Sequence, residues 1–188
     1  MESRTSGLRA PLLLLLALTL WGSSALAASS DEIRKMLGEG KYAQAEKELA
    51  PLLAVEKPSS EILQLATKCY ADQAKFFTAL KYANRVFEVD TKPSADFLFQ
   101  AGLVSEATGE YNLAVSRYRA FTLVVDKKHP KHRDALSDLI RVQVLLLKSP
   151  EVAGDGEIRF INDYGFDPIV HYCTLRTLDA LRNAGNGA

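Results

Sequence analysis

The sequence is poor in residues that commonly carry chemistry, and it has no net charge. Its 188 residues include only two cysteines, three histidines and one tryptophan, and 23 basic side chains balance 23 acidic ones. A neutral chain has no basic field to attract nucleic acid or anionic lipid. We therefore expect no nucleic-acid partner, while a hydrophobic content of 47% predicts an ordinary globular core.

The sequence also lacks the motifs of common enzymatic sites, such as a P-loop, a dinucleotide-binding fingerprint or a GxSxG nucleophile motif. His129 and His132 are separated by Pro130, which breaks a helix, so we predict a turn with solvated histidines rather than a metal site. Asp155-Gly156-Glu157 is too short to form a calcium loop. The chain is therefore predicted to be non-enzymatic, with no metal and no cofactor.

The first 27 residues have the organisation of a secretory signal peptide. Arg4 and Arg9 give a positive start, an apolar run follows at 11–21, and Ala25-Leu26-Ala27 is a small-residue cleavage site. We expect cleavage after Ala27, giving a periplasmic or secreted protein with no integral membrane segment. The alternative is a retained anchor, because residues 8–27 could span a bilayer of ~30 Å. The lack of an Asn-x-Ser/Thr site slightly favours a bacterial periplasm over a eukaryotic secretory lumen.

One pattern then recurs three times: a turn with an aromatic residue, followed by an alanine that opens a helix. The three copies are Gly40-Lys41-Tyr42 with Ala45, Ala74-Lys75-Phe76 with Ala79, and Gly109-Glu110-Tyr111 with Ala114. The alanines are 34 and 35 residues apart. A period of this length is typical of a helical hairpin repeated along the chain.

Apolar stripes at helical spacing predict two helices for each copy. The predicted helices are 31–37, 42–50, 61–73, 76–89, 94–108 and 111–125. Pro51 is expected to kink the second of these helices or to end it at Ala50. Small residues such as Ala66 and Gly102 recur where the two helices of a pair must approach closely.

In these residues the chain resembles the tetratricopeptide repeat (TPR) family. The matching positions are Gly40, Tyr42, Ala45, Leu49 and Leu52 in the first copy, Leu63, Ala66, Thr67, Tyr70, Ala79, Ala83 and Val86 in the second, and Leu98, Ala101, Gly102, Gly109, Tyr111, Ala114, Tyr118 and Phe121 in the third. Ser105 departs from the pattern, because it replaces an expected aromatic residue. The resemblance implies an all-α fold, an α/α superhelix of about three hairpins with a concave groove.

The period is lost after Asp126. We predict three TPR-like repeats in residues 28–126, capping helices in 127–182 and a flexible tail in 183–188. The capping helices are expected at 131–148, 157–162 and 167–182, with 152–156 as a loop. The last helix presents an apolar stripe formed by Ile169, Val170, Tyr172, Cys173, Leu175, Leu178 and Leu181. Asp167 is expected to cap that helix.

The two cysteines, Cys69 and Cys173, are predicted to remain unpaired. In a stack of hairpins they would lie several layers apart, and each layer adds ~8–10 Å. A disulfide needs Cα atoms within ~7 Å of each other. Two buried free thiols are therefore expected.

The register implied by the resemblance assigns a set of side chains to the concave groove. They are Arg34, Gln64, Lys68, Asp72, Phe99, Leu103, Glu106, Asp134, Asp138 and Arg141. Phe99 and Leu103 could grip an apolar side chain of a peptide. The alternative is that the C-terminal cap or a neighbouring chain covers them. The resemblance to members that clamp a peptide carboxylate is poor, since only Lys68 is suitably placed.

These observations favour an exported, non-enzymatic scaffold that binds protein or peptide partners through the groove. Two alternatives remain open at this point. One is a structural or assembly subunit of an envelope complex, such as a pilus, secretion or outer-membrane assembly apparatus, or a self-associating homo-oligomer. The other is an accessory domain that presents a metal or a small ligand.

Overall fold

Helices are the only regular secondary structure in residues 29–185, the part of the chain that the computed structural model describes. The nine α-helices of that part are α1 (Ser30–Gly38), α2 (Tyr42–Leu53), α3 (Ser60–Asp72), α4 (Phe76–Val89), α5 (Ala95–Ala107), α6 (Tyr111–Val124), α7 (His132–Arg141), α8 (Gly154–Tyr164) and α9 (Pro168–Gly185). They pack in adjacent pairs, as in a helical repeat superhelix, so the predicted fold class is confirmed. The predicted signal peptide lies outside the described residues.

The first six helices form three hairpins, which we call hairpin 1 (α1 and α2), hairpin 2 (α3 and α4) and hairpin 3 (α5 and α6). Their turns share one conformation, because Gly40, Ala74 and Gly109 all have positive φ, at 72°, 57° and 80°. The next residue in each has φ between −84° and −81° and ψ between 54° and 61°. Its N–H donates to the carbonyl five residues earlier at 2.8–2.9 Å. The sequence period is therefore also a backbone period.

The first helix of each hairpin starts on a serine N-cap. Ser29, Ser59 and Ser94 have nearly the same extended backbone angles, and each Oγ accepts a hydrogen bond from the N–H three residues later at 3.3 Å. This bond satisfies one of the N–H groups that a helix start leaves free. The helices differ in length, since α1 has 9 residues whereas α3 and α5 have 13.

The alanines of the repeated pattern occupy equivalent positions in the interior. Ala45, Ala79 and Ala114 are each 0% exposed. Gly102 shows how close the helices of hairpin 3 come, because a Cβ atom at this position would lie 2.5 Å from the ring of Tyr118. Small side chains at these points thus let each pair of helices pack.

The helix that contains Pro51 continues to Leu53, so the predicted end at Ala50 is wrong. Pro51 lies in the last turn, where a missing N–H leaves only the carbonyl of Lys47 without its helical partner. Both residues are exposed, so water can satisfy that carbonyl. The N–H of Ala54 still closes the helix on Ala50 O at 3.2 Å.

The long helix predicted at 131–148 is an α-helix followed by a π-helical segment. Beyond α7, the backbone widens at Val142–Leu146, and the N–H of Leu147 donates to the carbonyl of Val142 at 2.9 Å. Val142, Gln143 and Val144 are all buried. The periodic sequence pattern does not distinguish such a segment from a continuing α-helix. A 3₁₀ turn at Pro150–Val152 then leads to α8.

The predicted loop at 152–156 is corrected by the structure, because Gly154 and Gly156 belong to the first turn of α8. This turn packs against α7, since a Cβ atom at Gly156 would lie at an ordinary van der Waals distance of 3.4 Å from Cγ1 of Ile140. The N–H of Glu157 closes this turn on Ala153 O at 3.0 Å. The last helix, α9, reaches Gly185, so the predicted flexible tail begins inside a helix. Asp167 caps α9, as predicted, by accepting from the N–H groups of Ile169 and Val170.

The apolar stripe predicted for the last helix is only partly packed. Val170 and Cys173 are buried, whereas the remaining members are 48–57% exposed, namely Ile169, Tyr172, Leu175, Leu178 and Leu181. One edge of α9 therefore packs against α7 and α8, whereas its other side leaves apolar side chains exposed. Cys69 and Cys173 are both buried and form no disulfide. No helix within residues 29–185 combines the length and the apolar character needed to cross a bilayer.

Candidate binding groove

An open concavity of about 670 Å³ runs along the first helices of the three hairpins. Its wall is formed by residues from α1, α3 and α5, with Lys131 at the start of α7: Arg34, Leu37, Gly38, Gln64, Leu65, Lys68, Asp72, Ser94, Asp96, Phe97, Phe99, Gln100, Leu103 and Lys131. Six of the ten side chains assigned to the groove by the sequence lie on this wall. The other four do not, namely Glu106, Asp134, Asp138 and Arg141.

The floor of the concavity is apolar and comes mainly from α5. Leu65 and Phe97 are nearly buried, at 6% and 2% exposure, whereas Leu103 is 43% exposed. Phe99 is half-buried, and its ring centroid lies 6.0 Å from that of Tyr118 and 5.5 Å from that of Phe121. Phe99 therefore belongs both to the floor and to the core of hairpin 3. Leu103 is the apolar side chain most open to a ligand.

The cations of the wall are paired with carboxylates of the same wall or its rim. Lys68 Nζ lies 2.9 Å from Asp72 Oδ2, and Arg34 binds both Asp31, at 2.7 Å, and Glu61. The hydrogen bond to Glu61 is the main cause that raises the pKa of Arg34. The wall itself has three cations and two carboxylates, and further carboxylates lie at its rim, so both signs are present for a ligand of mixed charge.

The upper end of the wall is held by Lys131, which sequence reasoning did not assign to the groove. Its Nζ lies 2.7 Å from Asp96 Oδ1 and 5.7 Å from the ring centroid of Phe99. The bond from Lys131 lowers the pKa of Asp96. Asp96 could have been found, because it precedes Phe99 by one helical turn on α5. Lys131 could not, because it lies beyond the repeated pattern.

Gln64 joins two hairpins rather than pointing freely into the concavity. Its Nε2 donates to Ser60 Oγ at 3.0 Å, and its Oε1 accepts from Ser94 Oγ at 3.3 Å. Ser60 Oγ in turn donates to Asp90 Oδ2 at 2.7 Å, which lowers the pKa of that carboxyl. This chain of bonds links hairpin 2 to the start of hairpin 3.

Glu106 and Asp138 form a cluster with Arg141 that joins α5 to α7. Arg141 donates to both carboxylate oxygens of Glu106 at 2.7 and 2.8 Å and to Asp138 at 2.9 Å. Tyr118 Oη donates to Glu106 at 3.1 Å. Burial raises the pKa of Asp138 in spite of Arg141. Since these groups satisfy one another outside the concavity, their geometry suits a clamp between helices better than a ligand contact.

The histidine expected in a solvated turn is instead fully buried, which corrects that prediction. His132 is 0% exposed, and its Nε2 accepts from Arg159 at 3.0 Å. Its Nδ1 therefore carries the proton and donates to Tyr164 Oη at 2.6 Å, which in turn donates to the carbonyl of Lys127. Burial, assisted by Arg159, lowers the pKa of His132. A neutral histidine thus locks α7 to α8.

Within residues 29–185, no group of three or more His, Cys, Asp and Glu side chains is arranged to hold a metal ion. His129 packs its ring edge against Phe121, and the exposed His171 packs against Phe166. The side chains on the groove wall offer apolar contact, ion pairing and hydrogen bonding. Compared with known proteins, the sequence matches no family model and no curated protein.

Proposed function

We propose that the protein is an exported scaffold of TPR type that binds a protein or peptide segment in its concave groove. The observation that carries this proposal is the open 670 Å³ concavity, which has an exposed apolar floor at Leu103 and charged side chains of both signs around it. An extended or helical peptide could place an apolar side chain on the floor and pair its charges with the walls. The turns and small-residue positions shared by the three hairpins support membership of the TPR family.

Peptide selection can test the groove directly. Peptides are selected from a random library for binding to the wild-type protein. Their affinities are then measured for the wild type, Leu103→Asp and Leu123→Asp. The control Leu123 is 74% exposed on α6, and it is not among the residues that line the groove. We expect Leu103→Asp to weaken binding at least tenfold, because it places a charge on the apolar floor. Equal binding to all three proteins would reject the groove.

Phe99→Ala is a poor probe of the same floor. The ring of Phe99 packs on Tyr118 and Phe121, so its removal also disturbs hairpin 3. Lys68→Glu is cleaner, because Lys68 is exposed and, among residues 29–185, pairs only with the neighbouring Asp72. Some selected peptides will carry a carboxylate near the apolar side chain that contacts the floor. For these peptides we expect Lys68→Glu to weaken binding and to leave the helical circular dichroism of the protein unchanged.

The proposal of export has its own test. Full-length protein produced with a C-terminal tag in a secreting host should have a mass that corresponds to a chain starting at Ala28. A mass that includes residues 1–27, found in the membrane fraction, would favour the retained anchor instead.

A second function is favoured by the outer face of α9, where five large apolar side chains are 48–57% exposed. A surface of this kind is typical of a contact between proteins. It supports the alternative of a subunit that self-associates or occupies a fixed place in an envelope complex. Light scattering of the mature protein should then give a multiple of the monomer mass. That mass should fall to the monomer value in Leu175→Glu/Leu178→Glu, and stay unchanged in Leu103→Asp. A wild-type monomer would argue against self-association.

A further inference from the structure

The interior of hairpin 3 holds one buried cation that has no carboxylate partner. Arg117 on α6 is 6% exposed, and its Nη1 donates to the carbonyl of Ala101 at 3.2 Å and to Ser105 Oγ. Its Nη2 donates to Asn84 Oδ1 at 2.6 Å. All three acceptors are neutral. In the part of the chain that the structure describes, no acidic side chain lies within 4 Å of the guanidinium.

A buried charge without an opposite charge is unfavourable, and proteins normally pair such groups. Burial lowers the pKa of Arg117 to about 10, although the charge of Glu110, which forms no ion pair with it, acts in the opposite direction. The side chain therefore still carries its charge at neutral pH. Arg141 shows the usual arrangement, because it lies between the carboxylates of Glu106 and Asp138, and these raise its pKa. Hairpin 3 therefore holds a positive charge with which an anion from outside the chain can pair.

A small pocket of about 250 Å³ opens at this arginine, between α4 and α6. Its lining is Asn84, Phe87, Leu113, Ser116 and Arg117, none of which lines the concave groove. The ring of Phe87 lies 4.9 Å from Arg117 Cζ and holds the guanidinium plane. The volume is below the roughly 300–1,000 Å³ of pockets for drug-sized ligands, so the occupant is small.

The polar groups around the pocket are donors. A guanidinium has five N–H groups, and the three contacts described leave Nε–H and one Nη2–H. Asn84 Oδ1 accepts from Arg117, which leaves the amide Nδ2 of Asn84 as a donor. Ser116 adds a hydroxyl, whereas Phe87 and Leu113 provide an apolar wall. No acidic residue lines the pocket.

We propose that this pocket is a carboxylate site, in which Arg117 and Asn84 bind the carboxylate of a small ligand and Phe87 and Leu113 contact its short apolar body. The carboxylate comes either from a free monocarboxylic acid or from the C-terminus of a peptide. A carboxylate is favoured over a larger anion because its two oxygens match two adjacent guanidinium N–H groups. The site lies apart from the groove, so its presence does not depend on the function proposed for the groove.

The experiment uses butyrate as the free acid and a blocked tripeptide with a C-terminal valine as the peptide source. Protein labelled with ¹⁵N-arginine is titrated with each at constant ionic strength, and the Nε–H resonance of Arg117 is followed. We expect a saturable shift with butyrate or with the free-acid peptide. Butyramide, the peptide amide and chloride should give none. The ligand that saturates at lower concentration identifies the source. Absence of a shift with both carboxylates, or an equal shift with the amides or with chloride, would overturn the site.

Two variants test the site without removing Arg117. Ser116→Trp fills the pocket from an exposed position, and we expect it to abolish the shift while the protein stays folded. Asn84→Asp places a carboxylate of the chain itself beside Arg117, and it should raise the melting temperature and also abolish butyrate binding. Leu123→Asp, elsewhere on α6, should bind like the wild type. Undiminished binding by Ser116→Trp would contradict the assignment, as would undiminished binding by Asn84→Asp.

Discussion

Hairpins 2 and 3 share a backbone but fill their interiors differently. Where hairpin 2 has Thr67 and Ala83, the equivalent positions of hairpin 3 hold Gly102 and Tyr118. All four residues are buried. A larger side chain on one helix is thus matched by a smaller one on its partner. The helices meet at the same positions of the repeat, whereas the side chains that fill the space between them differ.

A second exchange replaces an aromatic pair with a polar one. In hairpin 2, Tyr70 and Tyr82 stack with ring centroids 5.4 Å apart, and burial is the main cause that raises the pKa of Tyr70 to about 12. The equivalent positions of hairpin 3 are Ser105 and Arg117, which bond to each other. The repeat therefore fixes where the helices meet, while the side chains that bond between them can differ.

The first prediction tests the exchange of side-chain size between Gly102 and Tyr118, and it has the largest expected effect. Tyr118→Ala should cost about 3–5 kcal/mol by leaving a cavity, and Gly102→Thr about 1–3 kcal/mol by overpacking against the ring. The double variant Gly102→Thr/Tyr118→Ala recreates the pair of hairpin 2 and should cost clearly less than the sum. Urea unfolding followed by circular dichroism measures all three. Strictly additive effects would mean that the two positions do not share one space.

The second prediction concerns acid, because all three histidines of the sequence lie after hairpin 3. The folded protein lowers the pKa of His132 below its ordinary 6.5, so the unfolded chain binds the proton more readily. Stability is therefore present above pH 6.5 and is lost as the pH falls below that value. We expect the urea midpoint to fall between pH 7 and pH 5, more steeply in the wild type than in His132→Gln.

The control for the acid effect is His171→Gln, since His171 is exposed on α9. This variant should keep the wild-type slope. Burial raises the pKa values of Asp138 and Glu157, which opposes acid unfolding. The difference between His132→Gln and the wild type isolates the histidine, and identical slopes would exclude it as the acid-sensitive group.

The third prediction exchanges the turn residues of the two hairpins. Ala74 adopts φ 57°, a conformation that costs an L-residue about 1–2 kcal/mol, whereas Gly109 adopts φ 80° freely. We expect Ala74→Gly to stabilise the protein by up to about 1 kcal/mol, reduced by the greater entropy of the unfolded chain. Gly109→Ala should destabilise it by about 1 kcal/mol. Melting temperatures that move in the same direction for both variants would show that the turns are not equivalent.

The smallest difference between the two hairpins is expected at the serine caps, where they are most alike. Ser59→Ala and Ser94→Ala should each cost about 1 kcal/mol, because each removes an oxygen that accepts from a helix N–H. Ser94→Ala should cost slightly more, since it also removes the bond to Gln64. A larger loss at Ser59 than at Ser94 in thermal unfolding would contradict that order.

Much of the fold could be predicted from the sequence, because the evidence for it is local. A turn, a following alanine and an apolar stripe mark each hairpin, as at Gly109 and Ala114, and the structure confirms an all-α fold of helix pairs. The cap was harder to predict. The π-helical segment at Val142–Leu146 is largely buried and Gly156 packs against Ile140, and a periodic pattern does not record such tertiary contacts.

In the candidate sites, too, local spacing could be predicted, whereas contacts between helices could not. The register of the repeat placed Lys68 and Leu103 on the concavity wall, because residues of one helix face share a spacing. It could not show that Glu106 bonds to Arg141 instead, or that His132 is buried by α8, since both depend on contacts across helices. Arg117 has the appearance of a surface residue in the sequence. The one signal for it was Ser105, twelve positions earlier, where an aromatic residue was missing.

The common turn has a consequence for how such a chain can grow. Hairpins 2 and 3 both begin on a serine cap, and both turn at a residue with positive φ. The unit from Ser59 to Pro93 is therefore followed, at Ser94, by the same backbone geometry with which it starts. Copying this unit in tandem would add a layer, and a longer inner wall, without asking the main chain for any conformation it does not already adopt. The length of such a chain can therefore change in steps of one whole hairpin.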